Sequence, residues 1–380
     1  SGDLVDDAVY KRNAEIGARF NVNIVANKAN GSWPDRESFN SLLKTSVMAG
    51  DAAFDLVLGY QAYSANLDVA ECLYDFMKVP VIDLDAEYYY HDIIDEITVN
   101  GKLFYLVGDY TYSVWPSLFV YYFNKQIAED NGIDGLYDLV REGKWTLDAM
   151  NTYLTAAANL NGDDSAAWKK DGKVVYGYSN NQNGIIKFLQ GCGENIVEVK
   201  DGKLTYTAGT ERFYDCVSKL SKIFTTSDAK GINASNGDDW KDDDGNPGYI
   251  YVFTSGRALF SDCEVNKFQG FRKLDFEYGI VPYPKYDEAQ KTYFCDTWQG
   301  SPAAFIPVTS ADAEKAGLIL DAMAYEGEKT AVPAFRDYAV EQKGLRNEDS
   351  IEMLAIVTRN IIPVYYSIFG IDSSIADQAG

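Results

Sequence analysis

Apolar positions in the first part of the chain repeat at two periods. "DLVDDAVYKRNAEIGARF" sets Val9, Ile16 and Phe20 on one helical face, and "VNIVA" behind it has the apolar run of a short strand. "WPDRESFNSLLKTSVMAG" repeats Phe39, Leu42, Leu43 and Val47 at helical spacing, with Asp35 as N-cap and Gly50 as stop. "FDLVLGY" is continuous rather than alternating, the mark of a buried strand. Strand, helix and strand in this order predict a βαβ unit and a parallel sheet. The loop that follows, "GYQAYSANLD", then falls at the carboxyl edge, where α/β proteins hold ligands.

Two more strands, "NGKLFYLVG" and "SLFVYYFNK", flank the aromatic and polar "GDYTYSVWP". Helices follow: "DGLYDLVREGKW", then "TLDAMNTYLTAAANL" capped by Thr146 with Leu147, Met150, Leu154 and Ala158 inward. "TERFYDCVSKLSKIF" sets Phe213, Val217, Leu220 and Phe224 on one face. Between these helices, "KKDGKVVYGYS" and "VEVKDGKLTY" carry Asp-Gly turns and read as hairpins. "NASNGDDWKDDDGNPG" is the most loop-like stretch, with Trp240 among its aspartates as a mobile surface residue. "YIYVFTSGRALFSD" returns to strand character. Two final helices are capped by Thr309 or Ser310 and by Asn347, the first closed by Gly327.

Composition narrows the function. The chain has 380 residues, a net charge of −23, 46% hydrophobic residues and 28 tyrosines. So acidic a chain repels nucleic acid and anionic lipid. So many tyrosines exceed what a core can satisfy, because each buried hydroxyl wants a partner. No apolar run reaches the roughly 18 residues of a membrane span. A single histidine, His91, removes most metal sites and most Ser-His or Cys-His chemistry. The five cysteines form no CxxC, and their odd number leaves a thiol over. They are expected to be reduced, with Cys263 and Cys295 the one pair near enough to bridge.

Several stretches, in order along nearly the whole chain, carry a resemblance. They are "DDAVYKRNAEIGARFNV" with its βαβ unit, "FNKQIAEDNGIDGLYDLVREGKWTLDAM", "NLNGDD", "FTSGRALF", "EYGIVPYPKYDEAQKTY", and "FIPVTSADAEKAGLIL" leading into "DSIEMLAIV". The chain resembles a family 1 extracellular solute-binding protein, the carbohydrate-capturing component of a bacterial ABC importer. The resemblance implies an α/β, two-lobe periplasmic-binding-protein-like fold, each lobe a mixed sheet flanked by helices, with the ligand cleft between lobes. It implies discontinuous lobes: residues 1–112 plus about 282–330, and residues 113–281 plus about 331–380. The family normally has a strand before the first helix and this chain starts almost at that helix, which reads as trimming or as a variant; a missing first strand would put an edge on the first sheet. The function it implies is capture of a sugar or oligosaccharide by hinge closure. The partner it implies is a membrane permease; the receptor is an extracellular, membrane-anchored lipoprotein, monomeric, with no cofactor or metal and no catalysis.

A sugar is held by stacking on a flat aromatic and by planar polar side chains. Four strand-end stretches supply that mixture: Tyr60, Gln61 and Asn66; Asp109, Tyr110, Tyr112 and Trp115; Asp262 and Glu264; Asp296, Trp298 and Gln299. Hinge segments are expected at Tyr110–Ser117 and around Phe276–Pro284. "YGIVPYP" is expected to enter the first lobe with "FIP" beside it, while Tyr283, Tyr286 and Tyr293 cover the sheet of a surface hairpin. Asn159, Asn161 and Asp163 repeat the start of a calcium loop, but Lys170 stands where the bidentate glutamate belongs, which favours a plain turn. Three rival functions share these features, one of them a surface adhesin that uses the two lobes statically. A peptide, polyamine or organic ion fits the acidic loops, and a glycoside hydrolase needs a pair of carboxylates that nothing here singles out.

Overall fold

A computed structural model describes residues 4–63, 67–68, 71–180, 184–225, 233–234, 240–243, 245–271, 273–297, 301–341 and 348–362. Helix α1 (Leu4–Phe20) buries Val5, Arg12 and Ile16. Helix α2 (Arg36–Ala49) ends at Gly50 as expected, with φ 66°. Asp35 does not cap it; that carboxylate instead accepts from Ser32 Oγ at 2.6 Å and Asn30 Nδ2 at 2.8 Å. Strand β1 (Val57–Tyr60) follows.

The expected βαβ unit is absent from the described residues. "VNIVA" forms no strand, Val25 is 67% exposed, and β1 pairs antiparallel with a strand from far along the chain, β10 (Pro302–Phe305). A short apolar run has no intrinsic partner, and β1 takes a longer-range one. On its other side β10 bridges Leu106 through Ala304, and "NGKLFYLVG" contributes isolated bridges, at Lys102, Leu106 and Gly108, rather than a strand.

The second sheet has five strands in the order β6 (Asn233–Ala234), β3 (Tyr176–Ser179), β7 (Ala258–Glu264), β2 (Phe119–Asn124), β8 (Tyr278–Val281). Only β2 runs against the others. Every residue of β2 is buried because helices cover both faces: Tyr121 meets Phe188 on one side, Tyr122 meets Phe253 and Phe271 on the other. Asn124 closes the strand and caps α4 (Lys125–Asp130), its Oδ1 accepting from Gln126 and Ile127. Helix α5 (Leu136–Arg141) and helix α6 (Leu147–Ala157) follow, with α6 capped by Thr146 and burying Leu147, Met150 and Leu154 as the spacing predicts.

Other elements correct the sequence reading. "YGIVP" is β8, paired to β2 inside the five-stranded sheet, and does not lie beside "FIP". Phe276–Pro284 is therefore not a crossing. "YIYVF" forms a helix, α9 (Gly248–Thr254), because Ile250, Val252 and Phe253 face the core; β7 begins after Gly256 turns the chain at φ 71°. "KKDGKVVYGYS" is no hairpin: β3 pairs parallel to β7, and Arg257 Nη1 holds the turn at Gly172 O, 2.7 Å away. "VEVKDGKLTY" is one, β4 (Val197–Lys200) and β5 (Lys203–Tyr206), with Asp201 and Gly202 at φ 51° and 70° as a type I′ turn requires. Asn159, Asn161 and Asp163 spend their side chains on local backbone groups in a turn: Asp163 Oδ2 accepts from Lys173 N at 2.6 Å.

Between β3 and β6 lie α7 (Gly184–Gly191) and α8 (Glu211–Thr225). The fully buried face of α8 is Cys216, Leu220 and Ile223; Leu220 is as expected, and the other expected residues, Phe213, Val217 and Phe224, pack half-buried against the core. In the C-terminal part, α11 (Ala313–Lys329) is capped by Asp312, which accepts from Lys315 N, rather than by Thr309 or Ser310. It runs past Gly327. Helix α12 (Ala331–Glu341) packs on α1 and α11, whereas α13 (Glu348–Val357) packs on β8. The expected capping residue of α13, Asn347, lies outside the described residues. Trp240 rests against Trp168 and Tyr251, at 5.7 and 4.9 Å between ring centres. Among the described residues no helix is long and apolar enough to cross a membrane.

Gly327 marks where α11 meets the segment leading to β2. A Cβ there would stand 1.8 Å from Asp109 O, and Arg12 Nη1 donates next door to Tyr110 O at 2.7 Å. Gly327→Ala is expected to destabilise the protein by about 1–3 kcal/mol or more, read by chemical unfolding. An unchanged midpoint would disprove this close packing.

Candidate functional site

The two sheets are joined by segments that lie side by side. Residues Tyr112–Ser117 form a 3₁₀ turn capped by Thr111, whose Oγ1 accepts from Ser113 N, and this turn delivers the chain into β2. Leu118 bridges Thr297 antiparallel, and Ser117 Oγ donates to Ser301 Oγ at 3.1 Å. Gln61, one residue past β1, donates its backbone N–H to Ser301 O and its Nε2 to Thr297 Oγ1 at 2.9 Å. The end of β1 and both crossing segments therefore meet at one place.

On the five-stranded side, the carboxyl ends of β3 and β7 and the start of β2 share an edge, with Phe119 opposite Glu264. Asp262, 1% exposed, accepts from Tyr178 OH at 2.8 Å, Tyr283 OH at 2.9 Å and Lys187 Nζ at 3.0 Å. Lys187 reaches it from the first turn of α7 and sets its Nζ 3.4 Å from the Phe119 ring centre. Burial would lower the pKa of this ammonium, but Asp262 and then Asp296 outweigh it and raise the value. Asp296, in β9 (Cys295–Asp296), is fully enclosed; burial pushes its pKa up to about 7 against the pull of Lys187.

Several buried polar atoms here have no hydrogen-bond partner among the described residues: Gln61 Oε1, Asp296 Oδ1, Asn180 Oδ1, and the hydroxyls of Ser179 and Ser261. Unmet buried acceptors are rare and costly, so a cluster of them at a junction needs an explanation.

The sequence-chosen residues are placed differently. Gln61, Asp262 and Asp296 belong to the junction just described. Asp109, Tyr112 and Trp115 lie on the approach to it. Asp109 accepts from Tyr90 OH at 2.9 Å, with burial raising its pKa to about 6. Trp115 is buried and carries Arg336 over its ring at 4.8 Å; Tyr112 stacks on Phe335. Tyr60 is half-buried and stacks on Tyr63. Tyr110 is instead a core residue, its hydroxyl spent on Leu106 O. Glu264 ends β7, 3.8 Å from Lys267. Asn66, Trp298 and Gln299 lie outside the described residues.

The tyrosines of the 276–307 stretch fasten it down. Tyr283 and Tyr293 are buried, the latter accepting from Trp145 N, and Tyr286 lies under Arg212 and Lys219. The surface-hairpin reading of this stretch gives way to that packing. Lys187 and Asn180 were missed by sequence reasoning. The signal for Lys187 was present: it is the single charge in "GIIKFLQG".

A cavity of about 520 Å³ lies elsewhere, between α3 (His91–Ile97) and the β4–β5 hairpin, lined by Met77, Leu84, Asp95 and Val199 among others. It holds none of the unmet acceptors, so the junction is the stronger candidate. Among the described residues no group of His, Cys, Asp and Glu is placed to hold a metal.

No protein-family model and no curated protein matches this sequence. Solved structures do. UspC of M. tuberculosis aligns over 98% of this chain and 94% of its own, at 14% identity and a TM-score of 0.61. The ABC substrate-binding protein Lmo0181 from Listeria monocytogenes, solved with cycloalternan, aligns over 98% and 88% at 14% identity and 0.55. UgpB from M. tuberculosis, in complex with glycerophosphocholine, aligns over 99% and 92% at 14% identity and 0.57. The architecture is thus the two-lobe, mixed α/β periplasmic-binding-protein fold. At these identities the likeness is one of fold.

Two outcomes follow from the buried charges. Lys187→Met leaves Asp262 an enclosed carboxylate without its cation, and should cost about 3–5 kcal/mol in chemical unfolding. A loss below 1 kcal/mol would show that the tyrosines alone suffice. Asp296 has a folded-state pKa above its unfolded value of about 3.9. It therefore holds its proton more tightly when folded, and its stabilising contribution is complete below about pH 4. That contribution declines as pH rises toward about 7, where the folded group ionises. Asp296→Asn should flatten this part of the stability–pH curve; a slope equal to the parent's would refute the assignment.

Proposed function

We propose that the protein binds a sugar or oligosaccharide between its two lobes and delivers it to an ABC import permease, without chemistry on the ligand. The observation that carries this is the set of unmet acceptors at the lobe junction, Gln61 Oε1, Asp296 Oδ1 and Asn180 Oδ1. A polyhydroxyl ligand brings the donors they lack, and half-buried Tyr60 and Tyr112 leave aromatic surface near the same junction, with Trp115 buried beneath it. The fold supports the reading, since compared proteins of this fold hold cycloalternan and glycerophosphocholine. The lobes divide near residue 112 and again near Thr297; the packing of α12 on α1 favours placing it in the first lobe. The receptor acts as an extracellular, lipid-anchored monomer.

Three carboxylates, Asp109, Asp262 and Asp296, favour a second reading within the same fold: a cationic solute such as a polyamine, a peptide or an organic ion. One screen separates the two. A thermal-shift panel of mono- and oligosaccharides beside amines and choline esters should show stabilisation by a sugar. A ligand at 100 times its Kd adds about 2.7 kcal/mol. Stabilisation by an amine alone would replace the sugar with a cation.

With the sugar in hand, Trp115→Ala or Gln61→Ala should weaken binding by about 1–3 kcal/mol. Affinity unchanged in both would move the site elsewhere. Ligand contacts made by both lobes exist only when they close, so ligand should shift the population toward closure about the passages through Leu118 and Thr297. The radius of gyration should fall on saturation; an unchanged scattering profile would leave a static adhesin as the reading.

A further inference from the structure

Two tight turns from opposite sides of the lobe division meet tip to tip. In the first, Val99 and Lys102 exchange backbone hydrogen bonds of 3.1 and 3.0 Å around Asn100 and Gly101, at φ 51° and 70°. In the second, Lys200 and Lys203 close the β4–β5 hairpin around Asp201 and Gly202, again at φ 51° and 70°. Asn100 N donates to Gly202 O at 2.7 Å. The first turn follows α3, before residue 112. The hairpin lies between α7 and α8 and is tied at its base, where Thr207 N donates to Ile196 O at 2.9 Å. Helix α3 packs on β4, and Gly101, Asp201 and Gly202 line the cavity of about 520 Å³ beside the contact.

The hairpin stands away from the passage between lobes. Val197, at its base, packs with Ile362 and Phe294, close to Thr297. Asp201 is four residues further along, about 13 Å at about 3.3 Å per residue. A rotation of about 15° about that passage carries a point about 13 Å away through about 3.4 Å, which takes a 2.7 Å bond far past hydrogen-bond reach. We propose that the two tips are a latch, joined only while the lobes are closed, which holds the cleft shut and lengthens the stay of a bound ligand. The latch rests on the two-lobe binding reading given above and adds a control on release to it. One net backbone hydrogen bond shifts a closing equilibrium about fivefold, enough to slow opening and too little to seal an empty cleft.

The test places spin labels on the full chain at Lys102→Cys and Lys203→Cys, exposed positions that flank the two tips. All five native cysteines are free and buried, the expected pair Cys263 and Cys295 included, so labels reach only the introduced thiols. The ligand-free chain should show two distances, a short one with the tips joined and a longer one with them parted. Saturating sugar should leave the short one. A single distance in the ligand-free chain overturns the latch whether or not any sugar binds, whereas failure of every sugar to bind counts against the proposed ligand and leaves the distances to decide. A second variant replaces Val199–Leu204 with Asn-Gly, which keeps Glu198 paired with Thr205 and removes the tip. It should raise the Kd for the sugar about fivefold, through faster dissociation. A Kd and a dissociation rate equal to the parent's would also overturn the proposal.

Discussion

The Asp262 carboxylate is the point on which the second lobe depends. It sits in β7, the central strand of the sheet, and takes hydrogen bonds from β3, from the segment after β8 and from α7. A buried carboxylate tolerates such a place only if every lone pair is met, because the cost of an unpaired enclosed charge is several kcal/mol. Once Tyr178, Tyr283 and Lys187 meet it, three elements distant in sequence are held in one register. The position of Lys187 over Phe119 follows, and with it the shape of the edge that faces the crossing segments. The same knot leaves Asp296 with a cation nearby but an oxygen unmet. Stability and the candidate site therefore draw on one set of charges.

Much of the fold was legible because local patterns decide it. The helical spacing of α6, the Asp-Gly turn of the β4–β5 hairpin and the unbroken apolar run of β2 each state their structure within a few residues. Pairing was not legible. "YGIVP", "SLFVYYF" and "FDLVLGY" are apolar runs of similar character, and nothing in them says that the first joins the second or that the third waits for "PAAF". The "YIYVF" stretch shows the matching weakness at short range, since a short apolar run fits a helix or a strand until Pro247 and Gly256 are given their roles.

The site was legible in part. Gln61 and Asp262 could be chosen because they stand at strand ends among aromatics. Lys187 and Asn180 could not be ranked by that rule, as they enter from the helix side and from the residue just past β3. Tyr110 looked like its neighbours Tyr112 and Trp115 in sequence, yet the turn that begins at Thr111 sends it into the core. A 3₁₀ turn changes the facing of successive residues too abruptly for composition to tell which of three aromatics remains available.

The pairing of the strands also sets a timetable. Phe119 in β2 can reach its place in the sheet only after Glu264 and the residues of β8 exist, and Val57 in β1 waits for Phe305. Both sheets are thus completed by neighbouring stretches late in the chain, after a long interval in which helices can form but strands lack partners. Contacts of such sequence separation are slow to close and leave apolar edges bare while they wait. A chain built this way stays pliant until most of it has been made. Whatever carries it during synthesis has time to act before either half becomes rigid.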